Sequence, residues 1–385
     1  MAAPFSLYVH IPYCVSKCPY CDFNSHVVPQ IPEAQYTDAL VRELEHYGSA
    51  GDWRGRELQS IFFGGGTPST FKPTSIGRIL AWVAATFPLD AACEITMEAN
   101  PGSVDAANFA GYRDAGVNRI SVGVQSFQER LLKFLGRVHS ADEAKTALHV
   151  VRQSGFENFS FDVIFANPGQ TLNELAADLD TALGFQPPHL SAYNLTFEEG
   201  TPFHHEYRAG RMQNLSEDEE IAMAELIENK LAPGGLVRYE ISNYARPGHH
   251  SRHNVNYWKS GDYLGLGAGA HSYLRSSDAV TGQRWSNEKN PGKYMAQLND
   301  TGTAVVDWEA IDRDKAMGEF MFLGLRLTEG ISVAEFCRRF GEPPARVYPK
   351  IGLWTNEGLL EESSGFLRLT AKGLLLANSI FVHFM

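Results

Sequence analysis

The chain has 385 residues, enough for about two or three domains. With 44% hydrophobic and 20% charged residues it has the balance of a folded protein that buries a large core. Its net charge of −12 argues against a general nucleic-acid binder, because neutralising phosphates needs a basic face. No run of about 18 apolar residues is present to span a membrane. The N-terminus MAAPFSLYVHI lacks the basic region and long apolar stretch of a secretory signal. Five cysteines, three of them in one loop, make no disulfide framework and point to a reducing, cytoplasmic compartment.

In the first half of the chain strand-like and helix-like segments alternate. Residues 7–11 form a short apolar strand that enters YVHIPYCVSKCPYCDF, and 34–47 follow with helical spacing. Strands are predicted at 58–63, 94–98, 119–124, 159–165 and 190–195, with helices at 75–86, 106–115, 141–154 and 172–185 between them. About six βα repeats imply an α/β architecture, a full or partial (β/α) barrel with its site at the C-terminal strand ends. Past Gly200 the rhythm changes. Ser216 and Glu219 make a capping box for a helix to about Leu231, and 237–274 read as short strands and loops. From about Asp307 come helices at 312–324, 332–340 and 344–357, a hairpin at 359–361 and 366–369, and a last helix from Ala371, an order that resembles a winged helix. The divisions are 1–212 for the barrel, 213–304 for an extension and 305–385 for the C-terminal unit.

Cys14, Cys18 and Cys21 stand at C-x3-C-x2-C spacing. Three thiolates on one tight loop can hold three irons of a [4Fe–4S] cube and leave the fourth iron open. The alternative, a structural zinc loop, usually needs four ligands and a cysteine pair at each end, and no second pair exists here. Cys93 and Cys337 have no partner spacing and read as small hydrophobes. Tyr8, Tyr20 and Phe23 flank the cysteines, where aromatics would shield a cluster, though ordinary packing explains them as well. Gly64-Gly65-Gly66-Thr67-Pro68 follows a strand and allows a backbone to approach a ligand. Glu98, Gln125 and Asp162 fall at or near the ends of later strands, where carboxylates and amides can bond ribose hydroxyls, and Arg137 offers a fork for a carboxylate.

Together, YVHIPYCxxxCxYC, GGGTP, the strand with Glu98, GVQSF and Asp162 resemble the radical S-adenosylmethionine (SAM) family of oxygen-independent coproporphyrinogen III oxidases and their HemW relatives, over nearly the whole chain. The resemblance implies a [4Fe–4S] cluster on Cys14, Cys18 and Cys21 with SAM on the open iron. It also implies SAM contacts at Tyr8, Tyr20, Gly65, Gly66, Thr67, Glu98, Gln125, Arg137 and Asp162. The oxidases have a further cysteine where this chain has Phe23, and a longer N-terminal extension, so the likeness favours the HemW branch of haem chaperones. That branch carries an H-N-x-x-Y motif linked to haem, present here as His253, Asn254 and Tyr257, followed by Trp258; GLGAGAHS, with His271, also looks like it. The implied partners are haem as cargo and haem-accepting respiratory proteins, with room for a dimer and a peripheral membrane contact. The oxidase activity, decarboxylation of coproporphyrinogen III propionates, is the alternative. Relatives commonly read GLPGQT where this chain has Ala166-Asn167-Pro168-Gly169-Gln170-Thr171, so the turn is expected to survive with altered local contacts.

On chemistry alone His253 is a reasonable axial ligand to haem iron and Arg252 a propionate partner, while loop packing of Asn254, Tyr257 and Trp258 is the plainer reading. A metal site on His249, His250 and His253 would need a helix that Pro247-Gly248 and strand-like neighbours disfavour. The C-terminal unit has few basic residues on its third helix (Arg346 and Lys350) and is read as a structural or docking module, not as a DNA reader.

Overall fold

In the computed structural model residues 3–49, 51–103 and 106–385 are described. Six strands make the centre: β1 (Phe5–Ile11), β2 (Leu58–Gly65), β3 (Leu89–Ala99), β4 (Arg119–Gln125), β5 (Asn158–Phe165) and β6 (His189–Asn194). They are parallel in register, Tyr8 beside Phe62 and Phe62 beside Thr96, because a helix covers the sheet between successive strands. The helices are α1 (Glu33–Ser49), α2 (Pro73–Thr86), α3 (Ala106–Asp114), α4 (Glu129–Phe134), α5 (Ala141–Gln153), α6 (Leu172–Gly184), α7 (Pro202–Arg208) and α8 (Glu217–Leu231). With both faces covered, β1 and β4 are buried almost continuously, as their unbroken apolar runs require. Capping boxes start α5, α6 and α8, the last at Ser216 and Glu219 as expected.

The barrel is partial. β7 (Val237–Arg238) and β8 (Asn243–Ala245) add antiparallel to β6. At the other edge β9 (Tyr263–Leu266) pairs parallel with β1, and β10 (His271–Arg275), β11 (Gly282–Asn287) and β12 (Val305–Ile311) continue as a meander. The resulting sheet has twelve strands, ends at β12 and β7, and does not close. Glu43 of α1 ties this extension to the core: its carboxylate accepts from Asn287 Nδ2 (2.6 Å), Gly267 N (2.9 Å) and Tyr294 OH (2.5 Å).

Two segments differ from their sequence reading. Within 237–274, α9 (Arg252–Trp258) forms, because Ser251 caps it by accepting from Asn254 N and Pro247-Gly248 lie before the cap. The single helix expected over 344–357 is broken into α13 (Pro344–Val347) and α14 (Lys350–Asn356), since Pro349 has no N–H to donate and disfavours helical backbone at Tyr348. The remaining helices are α10 (Pro291–Thr301), α11 (Arg313–Gly324), α12 (Val333–Phe340), α15 (Ala371–Leu375) and α16 (Ala377–Phe381). A small sheet of β13 (Ile331–Ser332), β15 (Phe366–Leu369) and β14 (Leu360–Ser363), in that order, completes the winged-helix-like unit. Its core around Met321, Phe336, Trp354 and Phe381 takes in Tyr273 of β10, which docks the unit on the extended edge of the sheet.

Candidate cofactor and ligand site

The cysteine loop joins β1 to α1. Cys14 N donates to His26 O and Cys21 N to Cys18 O, both at 3.1 Å, which folds the loop back over the strand end. Cys14, Cys18 and Cys21 line a cavity of about 470 Å³ at the C-terminal ends of the parallel strands. Tyr20, Gly65, Gly66, Thr67, Glu98, Gln125, Arg137 and Asp162 line the same cavity, so the strand periodicity that singled them out corresponds to one place. Tyr8 lies in the neighbouring cavity instead. Among the described residues no three His, Cys, Asp or Glu side chains are placed to hold a metal ion as they stand. The three thiols share a lining without converging on one point.

The cavity is polar where a polar cofactor would need it. Gln125 Oε1 and Arg137 Nε are buried without hydrogen-bond partners among the described residues, an arrangement that an incoming polar ligand relieves. A Cβ on Gly66 would come within 2.7 Å of Tyr13 O, so only glycine allows the turn to pass this close to the cysteine loop. Sequence reasoning missed Asn100, which follows Glu98 by two residues. Arg137 Nη2 donates to Asn100 Oδ1 (2.7 Å) and Gly123 O (2.9 Å), Asn100 Nδ2 to Thr67 Oγ1 (2.9 Å), and Thr67 Oγ1 to Cys14 Sγ (3.3 Å). Arg137 Nη1 also approaches Cys18 Sγ at 3.6 Å. This chain links three strand ends to two of the cysteines. Gln125 holds a left-handed backbone (φ 68°). Buried Asp178 of α6 clamps the next three residues, accepting from Ser126 Oγ (2.6 Å), Phe127 N (2.9 Å) and Gln128 Nε2 (3.0 Å).

Two acidic groups share the cavity. Burial pushes Glu98 up to about 8, nearby Asp162 adds to the rise, and Gly65 N–H, donating to its Oε2 at 3.2 Å, opposes it. Burial likewise raises Asp162 to about 6, against hydrogen bonding from Ser191 and the charge of Arg119. Folded Glu98 therefore keeps a proton that the unfolded chain loses above its ordinary value of 4.5. Its contribution to stability is full below that value and declines as pH rises through the window up to about 8. In urea titrations of the cofactor-free chain, wild type is expected to lose stability relative to Glu98→Gln across that window; parallel pH profiles would show that Glu98 titrates normally in the fold.

A second cavity, of about 880 Å³, adjoins the first and shares Lys17, Asp22, Phe23, Gly65 and Glu98 with it. Tyr257 and Trp258 of α9, Tyr263 of β9, His271 and Tyr273 of β10, and Phe322 and Leu323 of α11 make its walls. His253, a reasonable axial ligand on chemistry alone, lies outside this lining: it is buried in α9 over β2, stacked on Phe62 with ring centroids 5.0 Å apart. Its Nδ1 is bonded to Ser60 Oγ and its Nε2 to Tyr257 OH, both at 3.0 Å, and burial, aided by Arg119, lowers it to about 3. As folded, His253 orients Tyr257 and has no nitrogen free for iron. Asn254 lines a small interior cavity of about 200 Å³ beside it. Arg252 is paired with Asp90 (2.8 Å) and lines neither of the two larger cavities. His250 stacks on Tyr239 at 4.2 Å, so His249, His250 and His253 do not gather at one point. The helical turn that carries the motif was illegible in sequence because its cap, Ser251, stands among residues typical of loops.

The turn after β5 survives its altered sequence. Gln170 N donates to Asn167 O (2.8 Å), and Asn167 Nδ2 is buried against Ile164 O (2.9 Å) and Gln170 Oε1 (3.1 Å). Ala166 takes φ 58° there, a left-handed backbone that costs roughly 1 kcal/mol in a residue with a Cβ.

An open sheet with a parallel core and a cysteine-lined cavity at its strand ends is the frame of a radical SAM protein, and the family match agrees. The Radical SAM superfamily matches residues 8–182 and the HemN C-terminal domain residues 311–376. In fold the chain matches a solved structure described as coproporphyrinogen III oxidase (HemN) from Escherichia coli, a radical SAM enzyme, with a TM-score of 0.82 and 24% identity over 99% of this chain and 90% of that one. It is 39% identical to Heme chaperone HemW of Escherichia coli (strain K12), over 99% of this chain and 98% of the relative. The protein of the same name from Haemophilus influenzae is 37% identical, at 99% and 98% coverage, and that from Bacillus subtilis 34%, at 99% of both chains. The chain belongs to the HemW family of haem chaperones within the radical SAM superfamily, a membership that implies a [4Fe–4S] cluster, SAM and haem. Among the described residues no helix is long and apolar enough to cross a membrane.

Proposed function

We propose that the protein is a cytoplasmic haem chaperone that holds haem in the larger cavity and releases it to haem proteins such as respiratory enzymes. The observation that carries this reading is the shared wall of the two cavities: a roomy, aromatic chamber with basic groups at its edge opens directly beside the cysteine loop. A flat macrocycle with two carboxylates fits that lining, which is of ordinary size for a ligand cavity. In the smaller cavity Cys14, Cys18 and Cys21 would ligate the cluster, and the unpartnered atoms of Gln125 and Arg137 would receive SAM beside Glu98 and Asp162. When bound, the cluster supplies a redox-active iron with an open coordination position. The residues named here hold and orient, and the Arg137–Asn100–Thr67 chain keeps the cysteine loop in register with the strand ends.

The oxidase reading is kept as the alternative because the HemN fold is shared over the whole chain. Phe23, which stands where the oxidases have a further cysteine, is 61% exposed and faces both cavities. Haemin titrated into anaerobically reconstituted protein is expected to give a bound Soret band at micromolar concentration, while coproporphyrinogen III under the same conditions yields no protoporphyrinogen. Turnover without haem binding would reverse the assignment.

A further inference from the structure

Three histidines stand at or behind the wall of the larger cavity, and two are already committed. His10 bonds Tyr8 OH through Nδ1 (3.0 Å) and Asn24 O through Nε2 (2.8 Å). His253 has both nitrogens engaged by Ser60 and Tyr257. His271 alone of the three opens on the cavity with a ring that makes no hydrogen bond to the described residues. We infer that His271 is the axial ligand to haem iron in this cavity, with the Lys17 and Lys289 ammonium groups taking the propionates; this inference rests on the haem-chaperone reading above.

The backbone holds His271 against the cysteine loop. It is the first residue of β10, in register with Ser286 of β11, just past the turn at Gly267–Gly269. Asn24, three residues beyond Cys21, donates through Nδ2 to Ala268 O and to Lys289 O, both at 2.9 Å, so one side chain staples that turn and the Lys289 backbone to the loop. Burial, then the charges of Arg284 and Lys289, lower the His271 pKa, with Asp307 opposing, a direction that favours the neutral imidazole a metal ligand requires. Phe23, Tyr273 and Phe322 line the same space and offer faces to a porphyrin. Arg284 is already held by Glu309 (3.0 Å) and Glu319 (2.7 Å). Among the described residues Lys17 is hydrogen-bonded only to Phe23 O (3.1 Å) and Lys289 forms no ion pair.

The test uses the reconstituted full chain with two probes, haemin and metal-free protoporphyrin IX, in wild type and His271→Ala. Haemin is expected to bind the variant about tenfold or more weakly, without the resonance Raman signature of histidine-ligated iron, and added imidazole restores that signature. Metal-free protoporphyrin IX, which has no iron to ligate, is expected to bind both proteins alike. Wild-type haemin binding that His271→Ala leaves unchanged in strength and spectrum would overturn the inference while sparing the chaperone reading. Equal loss of both porphyrins would also overturn it, by showing that the side chain only shapes the cavity. A wild type that binds no haemin would remove the reading and the inference together.

Discussion

Cys18→Ala is expected to prevent cluster assembly, with iron and acid-labile sulfide after anaerobic reconstitution falling close to zero and the reduced sample giving no cluster EPR signal. A cube held by three thiolates loses its third protein-bound iron when one is removed. Cys18 meets the connection between α4 and α5: Arg137 Nη1 approaches it at 3.6 Å and Gly136 O lies 3.8 Å away. Cys93→Ala, on the far side of the core, is the control and should keep wild-type iron content, since Cys93 is a buried thiol within the main hydrophobic cluster. Full iron loading of Cys18→Ala would remove this cysteine from the ligand set and with it the reading of the smaller cavity.

Asp262→Ala is expected to destabilise the fold by about 3–5 kcal/mol in urea unfolding, because it leaves a buried cation without its partner. Arg56 Nη2 donates to Asp262 Oδ2 at 2.5 Å with both side chains almost fully enclosed. The same guanidinium lies over Phe5 and Trp53, so it cannot swing out to water without leaving its packing. Asp262 also accepts from Arg275 N (2.9 Å) through its carboxylate, and from Ser6 N and Asn256 Nδ2 through its carbonyl, both at 3.1 Å. One residue thereby joins β1, α9 and β10. Haem binding is expected to weaken in parallel, since Tyr257 on α9 and His271 on β10 form two walls of the larger cavity. A loss below about 1 kcal/mol, the range of exposed pairs, would mean that Arg56 finds water or another acceptor.

The two substitutions probe levels of organisation that sequence reveals unequally. The cysteine loop and the strand ends are legible because their chemistry is local: C-x3-C-x2-C confines three thiols to one turn, and the βα period puts Gly65, Glu98, Gln125 and Asp162 at the same end of successive parallel strands. Arg137 and Tyr20 enter the same cavity from adjoining loops. Asn100 was within reach, since it follows Glu98 on the same strand end, but only its bonds to Arg137 and Thr67 mark it as a link to Cys14.

The haem segment is the contrary case. A motif containing His253 reads as a ligand, yet whether an imidazole faces a cavity or a strand depends on which side of α9 meets β2, and the seven residues of α9 make too short a helix to declare its buried face. Likewise Pro349 stands inside the helix expected over 344–357, and backbone sterics at Tyr348 impose the break there.

The chain alone, through spacing and period, determined the parallel core, the cysteine loop and the polar groups that surround it, because each follows from neighbours in sequence. Tertiary structure decided the open sheet, the twelve-strand order and the larger cavity, whose walls come from β1, α9, β10 and α11, elements separated by up to three hundred positions or so. Their meeting depends on burial of groups such as Asp262 and Glu43 that no local pattern encodes, so His271 acquires its place only when the edge of the sheet folds back on the cysteine loop.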